Sequence, residues 1–393
     1  MITLSARHAG VTLGLAGLLL SCATRAPGGA GPAADAALHG TGWSIVPSPN
    51  PSRSAGNTLV QVSAGSATNA WAVGYSGGVG SFRTMIQRWN GSRWTVTRSP
   101  SPSSADNVLF GVDTLSRTDA WAVGYDLHVT PTALYHQALT EHWNGHTWRA
   151  VPAVHAGTQD NDLFGVTALS PTNVWAVGNE NIGHFRFRPL VEHWTGAAWH
   201  LVPVPSPPLA GFGAGLGGVA AISPRDIWAV GNYDTGTGTG TGTRFQPLIE
   251  HWNGARWSLV PAPTAGSAQL SQVSMLTPSD GWAVGSCGSA PHTQALIEHW
   301  DGHRWTAAAS PVIKGSSLNG VLALGPHLAW AVGSYSPRSG VNRTLIEQWN
   351  GRAWTVTPSP NNSRSSELLG IAGTQQQLWA VGDSLSSTLI LRH

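Results

Sequence analysis

Charge is scarce in this sequence. Asp, Glu, Lys and Arg make up only 10% of it, lysine occurs once (Lys314), and the formal net charge is +2. A near-neutral chain without a basic cluster has little with which to neutralise a phosphate backbone, so a nucleic-acid partner is excluded. Cysteine is nearly absent as well. There are two, Cys22 and Cys287, and Cys22 lies in a leader-like segment, so no disulfide framework staples the fold. The sequence leads us to expect no catalytic motif, no cofactor and no shared metal site. The apolar run from Ala9 to Leu20 falls short of the roughly 20 residues that a membrane-spanning helix needs.

Tryptophan is abundant, with 20 copies, and it is periodic. Trp-Ala-Val-Gly begins at Trp71, Trp121, Trp175, Trp228, Trp282, Trp330 and Trp379. A spacing of about 50 residues in β-rich sequence marks a propeller or a solenoid. A second block, roughly Leu-Ile-Glu-His-Trp-Asn-Gly-x-x-Trp, follows each of the first six copies. Its first tryptophans are Trp89, Trp143, Trp194, Trp252, Trp300 and Trp349, and its second are Trp94, Trp148, Trp199, Trp257, Trp305 and Trp354. The seventh block is split. Leu389-Ile390-Leu391-Arg392-His393 supplies its first half and Gly42-Trp43-Ser44-Ile45-Val46-Pro47 its second. An open solenoid has no reason to divide a repeat in this way. A closed ring does, because an N-terminal strand that completes the last blade removes an exposed sheet edge. The sequence therefore predicts an all-β fold: a seven-bladed propeller of four-stranded blades, the last one closed by the N-terminal strand.

Each repeat reads as four strands. In the third they are Asp162–Leu169, Val174–Gly178, Pro189–Trp194 and Trp199–Pro203. Ser170-Pro171-Thr172-Asn173 forms a turn between the first two. Asn90-Gly91 and its equivalents predict short hairpins between the last two. The tryptophans are expected to pack between blades, where each ring buries ~150–250 Å². The recurrent Gly74, Gly124, Gly178, Gly231, Gly285, Gly333 and Gly382 are expected to end the second strand or to allow close backbone approach.

The chain divides into a signal segment (1–22), an Ala/Gly/Pro-rich tether (23–40) and the propeller (41–393). Leu19-Leu20-Ser21-Cys22 resembles a bacterial lipobox, which implies lipidation at Cys22 and an extracytoplasmic protein held to the membrane by its lipid. The alternative is an ordinary signal peptide and secretion. The repeats themselves resemble bacterial secreted β-propellers with Trp-Ala-Val-Gly and Glu-His-Trp-Asn-Gly blocks, and more distantly tryptophan-rich propeller lectins. The resemblance covers almost all of the chain after the leader. It implies the fold and no particular activity.

A ligand is expected on the face that carries the long, variable connections between second and third strands and between blades. All five tyrosines, Tyr75, Tyr125, Tyr135, Tyr233 and Tyr335, fall between the second and third runs of their repeats. Tyr75, Tyr125, Tyr233 and Tyr335, with Arg186 and Arg244, are the candidate ligand-binding residues. In the competing reading the tyrosines only cap strand ends. Glu-His recurs at Glu141-His142, Glu192-His193, Glu250-His251 and Glu298-His299, but different blades hold these pairs too far apart for a common zinc ion. Asp106, Asp126, Asp160, Asp162, Glu180, Asp234, Glu367 and Asp383 share the long-loop face. Thr235 to Thr243 alternates Thr and Gly and reads as a flexible expansion. The expected function is non-enzymatic binding of a glycan or a surface protein. The alternative is a carbohydrate-active hydrolase or lyase with its site at the channel mouth.

Overall fold

The computed structural model describes residues 42–53, 55–154, 159–208, 211–236, 245–263, 266–288, 292–338, 340–363 and 365–393. The strands among them form seven four-stranded antiparallel sheets, arranged as blades around one axis. The first strand of each repeat is innermost and the fourth is outermost. In blade 2 the order is Asn107–Ser116, Asp119–Val129, Leu134–Trp143 and Trp148–Val151. Blade 7 takes three strands from Glu367–Thr374, Gln377–Ser384 and Ser387–Arg392, and its outer strand from Ser44–Ile45. Ser44 pairs with Arg392 and Ile45 with Leu391. The Val46 amide then donates to the Ile390 carbonyl at 2.9 Å.

The repeat glycine sits where the two innermost strands come closest. A Cβ on Gly178 would lie 1.8 Å from the Asp162 carbonyl oxygen, and one on Gly124 would lie 1.9 Å from that of Val108. Beside this contact each inner strand carries a bulge, such as the one between Leu163 and Gly165. The glycine does not end the second strand. In blade 3 that strand runs Asn173–Asn181, beyond Gly178, and the third begins at Phe187.

The core is a set of seven interblade clusters. Trp71, Val73 and Ile86 of blade 1 pack with Leu109, Val112, Leu139, Trp143 and Trp148 of blade 2, and the other six interfaces repeat the pattern. Each Trp-Ala-Val-Gly indole meets two aromatic rings of the next blade. Trp71 lies 4.9 Å from Trp143 and 5.1 Å from Trp148, the latter edge-on. Tilted and edge-on contacts of this kind suit the ring quadrupoles. Trp71 and Trp379 are fully buried. The buried Cys287 belongs to one of these clusters.

The hairpins between third and outer strands are not the two-residue turns that Asn-Gly alone predicts. Trp89 pairs with Trp94, which leaves a four-residue loop. The Asn90 side-chain oxygen accepts from the Ser92 and Arg93 amides, both at 3.0 Å, and Gly91 takes φ 100°. The asparagine thus mimics a backbone turn, and glycine accepts the left-handed conformation.

Candidate functional site

The long-loop mouth of the ring is built from one repeat position, the residue after the repeat glycine. It is Tyr75, Tyr125, Asn179, Asn232, Ser286, Ser334 and Asp383 in blades 1 to 7. The inner-strand partners are Thr58, Val108, Asp162, Gly215, Gln269, Ser317 and Glu367. The mouth is therefore two-sided. Blades 7, 1, 2 and 3 contribute tyrosines and carboxylates, and blades 4 to 6 contribute neutral, non-aromatic residues.

In blades 2 and 3 an aromatic series runs from the axial channel outward. Phe164 and Phe110 are the extra residues of the inner-strand bulges, and bulges re-aim the side chains they carry. Their rings lie 5.1 Å apart, Phe110 is 5.8 Å from Tyr125, and Tyr125 stacks on His136 at 3.9 Å and 12°. His136 Nδ1 is 2.9 Å from Asp162 Oδ1, and its backbone amide donates to Asp160 Oδ1 at 2.9 Å. Burial works against the charged imidazole. The hydrogen bond and the negative charge of Asp162, reinforced by Asp160 and Asp106, outweigh it and raise the His136 pKa. Burial, with the carboxylates of Asp162 and Asp106, pushes the Tyr125 phenol well above its usual range.

On the other side of Tyr75, Asp383 and Glu367 are paired neighbours on adjacent strands. The Thr58 hydroxyl donates to Asp383 Oδ2 at 3.4 Å. Burial and the nearby Glu367 carboxylate, opposed by the Thr58 hydroxyl, move the Asp383 pKa up to about 7. Burial also raises Glu367. Tyr75 is raised by burial, with smaller contributions from Asp383 and Glu367.

The tyrosines lie in strands, not in loops, which corrects their placement from sequence. They extend the second and third strands beyond the repeat glycine. Tyr75 and Tyr125 follow that glycine directly, whereas Tyr233 and Tyr335 come one residue later. Successive strand side chains point to opposite faces. Accordingly Tyr233 and Tyr335 pack against interblade core clusters, while Tyr75 and Tyr125 belong to the mouth. Tyr135 stacks on His128, whose Nε2 is 2.8 Å from Asp126. The Arg186 backbone closes the turn after Gly183, donating to its carbonyl at 3.1 Å. Arg83 donates to the carbonyls of Ser103, Ser104 and Ala105, Arg343 to that of Ser363, and Arg188 pairs with Glu180. Arg244, Cys22 and residues 237–243 of the Thr-Gly stretch lie outside the described residues.

The Glu-His pairs serve two local purposes. His142, His251 and His299 bond through Nε2 to Asp119, Asp226 and Asp280 at 2.9–3.0 Å, and His193 bonds to Asn173. Each ring also packs on the tryptophan of its own blade, as His142 does on Trp121 at 4.4 Å. The glutamates Glu141, Glu192, Glu250, Glu298 and Glu347 are all fully buried. Among the described residues no group of three His, Cys, Asp or Glu is placed to hold a metal ion. Gly74-Tyr75-Ser76-Gly77-Gly78 spells Gly-x-Ser-x-Gly, against the expectation that the sequence holds no catalytic motif. It runs into a β-hairpin, not the strand-to-helix turn that a nucleophile elbow requires.

The sequence reading missed His136, Phe110 and Phe164. They follow no repeat signature, and only the bulges and the neighbouring blade bring them to the mouth. It also missed Asp113, among the described residues the only charged one lining an axial cavity of about 300 Å³. Asp113 Oδ1 accepts from Ser63 Oγ at 3.2 Å and the Thr114 amide at 2.8 Å, and Oδ2 accepts from the Ala168 amide at 2.8 Å. The carboxylate thus clasps three blades. Burial raises its pKa against these three hydrogen bonds.

The fold defines the class as a seven-bladed β-propeller, with polar and aromatic side chains gathered on one side of its long-loop opening. No protein-family model matches the chain, and no curated protein does. Among solved structures it is similar to YCF48 bound to D1 peptide, with a TM-score of 0.54 at 15% identity over 91% of this chain and 96% of that one. It is also similar to an ulvan lyase from a new family of polysaccharide lyase, with a TM-score of 0.54 at 9% identity over 82% and 89%. The same lyase bound to -[GlcA(1-4)Rha3S]- gives 0.53 at 9% over 86% and 94%. At these identities the likeness is one of fold.

Proposed function

We propose that this is a non-enzymatic binding protein that takes a glycan or peptide ligand at the long-loop mouth, over blades 7, 1, 2 and 3. The observation that carries this reading is the one-sided gathering of Tyr75, Tyr125, His136, Phe110 and the carboxylates. The repeat dictates none of these groups, whereas the repeated side chains are consumed in packing. Rings that offer an apolar face beside fixed hydrogen-bonding groups are the usual makings of a recognition site. Propellers of this fold are seen with a peptide in one solved structure and with a saccharide in another, and both ligand classes are compatible with such a mouth. The Cys22 lipobox would hold the protein at the outer side of a membrane. Binding is tested on a glycan array and a peptide array. Tyr75→Ala and Tyr125→Ala should weaken the hit by about tenfold or more, roughly 1.4 kcal/mol. Tyr233→Ala should leave affinity unchanged, since that ring packs in the core. Equal affinity in all three variants would refute the assignment.

A second reading, a carbohydrate-active hydrolase or lyase, is favoured by one specific observation. Asp383 beside Glu367 keeps its proton to about pH 7, as a general acid must. Cleavage of a polysaccharide that disappears in Asp383→Asn, with binding retained, would establish it.

A further inference from the structure

We infer that the short-turn face of the ring is a docking surface for an anionic bilayer, and that it turns the mouth on the opposite face away from the membrane. The inference goes beyond the binding reading above and stands without it.

The first support is where the arginines fall. They are scattered in sequence. The turns between first and second strands and those between third and outer strands all lie at one end of the blades, so the ring gathers their side chains on one face. Exposed Arg117 and Arg225 stand in turns of the first kind, and exposed Arg93, Arg256, Arg304 and Arg352 in hairpins of the second. The two kinds of turn touch. The Arg117 guanidinium donates to the Thr68 hydroxyl of the preceding blade. Thr68 in turn lies against the hairpin of Arg93, where a Cβ on Gly91 would be 3.1 Å from Thr68 Cγ2. A Cβ on Gly254 would be 2.6 Å from Arg225 Cγ, so that side chain crosses the hairpin of Arg256. The Arg88 guanidinium lies 4.9 Å over Trp71, and burial and then the charge of Arg117 lower its pKa.

The carboxylates of this face are fewer and already engaged. Asp119, Asp226 and Asp280 bond to the histidines of their own blades. Asp301 accepts the His303 and Arg304 amides at 2.8 Å and lies 3.9 Å from the Arg304 side chain. Among the described residues no other arginine of this face forms an ion pair. Unbalanced positive charge draws an anionic surface. A bilayer presents its charge over a plane, so it needs the arginines on one face and not around one point.

The second support distinguishes a bilayer from other polyanions. Trp194, Trp252, Trp300 and Trp349 are only half-buried. Their indole N–H groups donate to the carbonyls of Pro171, Pro224, Pro278 and Pro326 at 3.0–3.2 Å, which fixes the rings at the short-turn face. Tryptophan at the edge of a surface suits the headgroup level of a membrane, where one part of the ring is apolar and the other wet. The chain also enters from this side. Gly42, the first described residue, precedes Ser44, whose partner Arg392 ends the third strand of blade 7 at the short-turn face. A lipid on Cys22 and the basic face would then act from the same side, and an acyl chain with a basic patch is a recognised pair of membrane signals.

The test is co-sedimentation of the full chain carrying Cys22→Ser, which removes the lipid site, with two kinds of vesicle: equal parts phosphatidylglycerol and phosphatidylcholine, and phosphatidylcholine alone. The protein should bind only the first, at about 10 mM salt, and come free at about 150 mM, where the screening length falls from roughly 30 Å to 8 Å. The basic face thus orients a lipid-anchored protein without anchoring it. Arg93→Gln, Arg117→Gln, Arg225→Gln and Arg256→Gln together should weaken binding by about tenfold or more. Arg225→Gln with Arg256→Gln gives a smaller loss and serves should the fourfold variant fail to fold. Arg53→Gln with Arg338→Gln, on the mouth face, should change nothing. Equal binding to both vesicles, indifference to the short-turn variants, or an equal loss from the mouth-face pair overturns the inference. Polyphosphate bound more tightly than the anionic vesicles would assign the face to a soluble polyanion and overturn the bilayer.

Discussion

The imidazole of His393 packs 5.0 Å from the indole of Trp330, in the place that a tryptophan occupies at the other six blade interfaces. Trp43 completes the group, edge-on to Trp330 at 5.5 Å and 5.3 Å from His393. The closing interface thus has the geometry of the others with one ring reduced. Trp43 is buried, so Trp43→Ala should cost about 3–5 kcal/mol, read as a fall in the denaturant midpoint. Deleting Gly42 to Pro47 should cost more, because it also bares the Leu389–Arg392 edge. An unchanged midpoint in either variant contradicts ring closure by this strand.

Stability should rise as pH falls from alkaline toward mildly acidic values. Burial raises the pKa of Glu141, Glu250 and Glu347 to about 8 and that of Glu192 to about 7. Hydrogen bonds from Ser99 and Ser310 partly relieve Glu141 and Glu347, and the Val154 amide relieves Glu192. A carboxyl whose folded pKa lies above its unfolded value binds protons more tightly when folded. Its contribution is complete below the ordinary carboxylate range, near 4.5, and is lost as pH rises through 7 to 8. Among the described residues neither Glu250 carboxyl oxygen has a hydrogen-bond partner. Glu250→Gln should therefore flatten the profile of melting temperature against pH and raise the melting temperature at pH 9. A flat profile in the wild type would contradict the burial argument.

Gly178→Ala should abolish soluble expression or destabilise by more than about 4 kcal/mol, in the class reserved for severe core errors. The added methyl would meet the Asp162 carbonyl oxygen at 1.8 Å and the Leu163 Cα at 2.9 Å, so backbone itself would have to shift. Gly78→Ala is the control, since nothing lies within 4 Å of its Cβ position. Thermal unfolding of the two variants separates a backbone clash from a general dislike of alanine.

Attachment through Cys22 is tested by metabolic labelling with a fatty-acid analogue in a bacterial host. The wild type should incorporate label and partition with membranes, and Cys22→Ser should do neither. Because one acyl chain anchors only marginally, stable partition implies more than one. Equal labelling of both proteins would point to plain secretion.

Much of the architecture is legible from residue order. Seven copies of Trp-Ala-Val-Gly, six whole copies and one split copy of the second block, and the turn residues between them specify blade number, strand count and closure. These are local, repeated signals, and each is enforced seven times over. Trp71 and its counterparts could be assigned to packing for the same reason.

The site was less legible, because its members follow no repeat. Tyr75, Tyr125, Tyr233 and Tyr335 look alike in sequence, yet a shift of one residue turns the last two into the interblade core and leaves the first two at the mouth. His136 and Asp162 belong to different blades, and Phe110 and Phe164 leave the regular strand alternation because each is the extra residue of a bulge. Periodicity reports which face of a strand is buried. It is silent on which side chains of neighbouring blades meet, because that depends on how each sheet bulges and packs against the next.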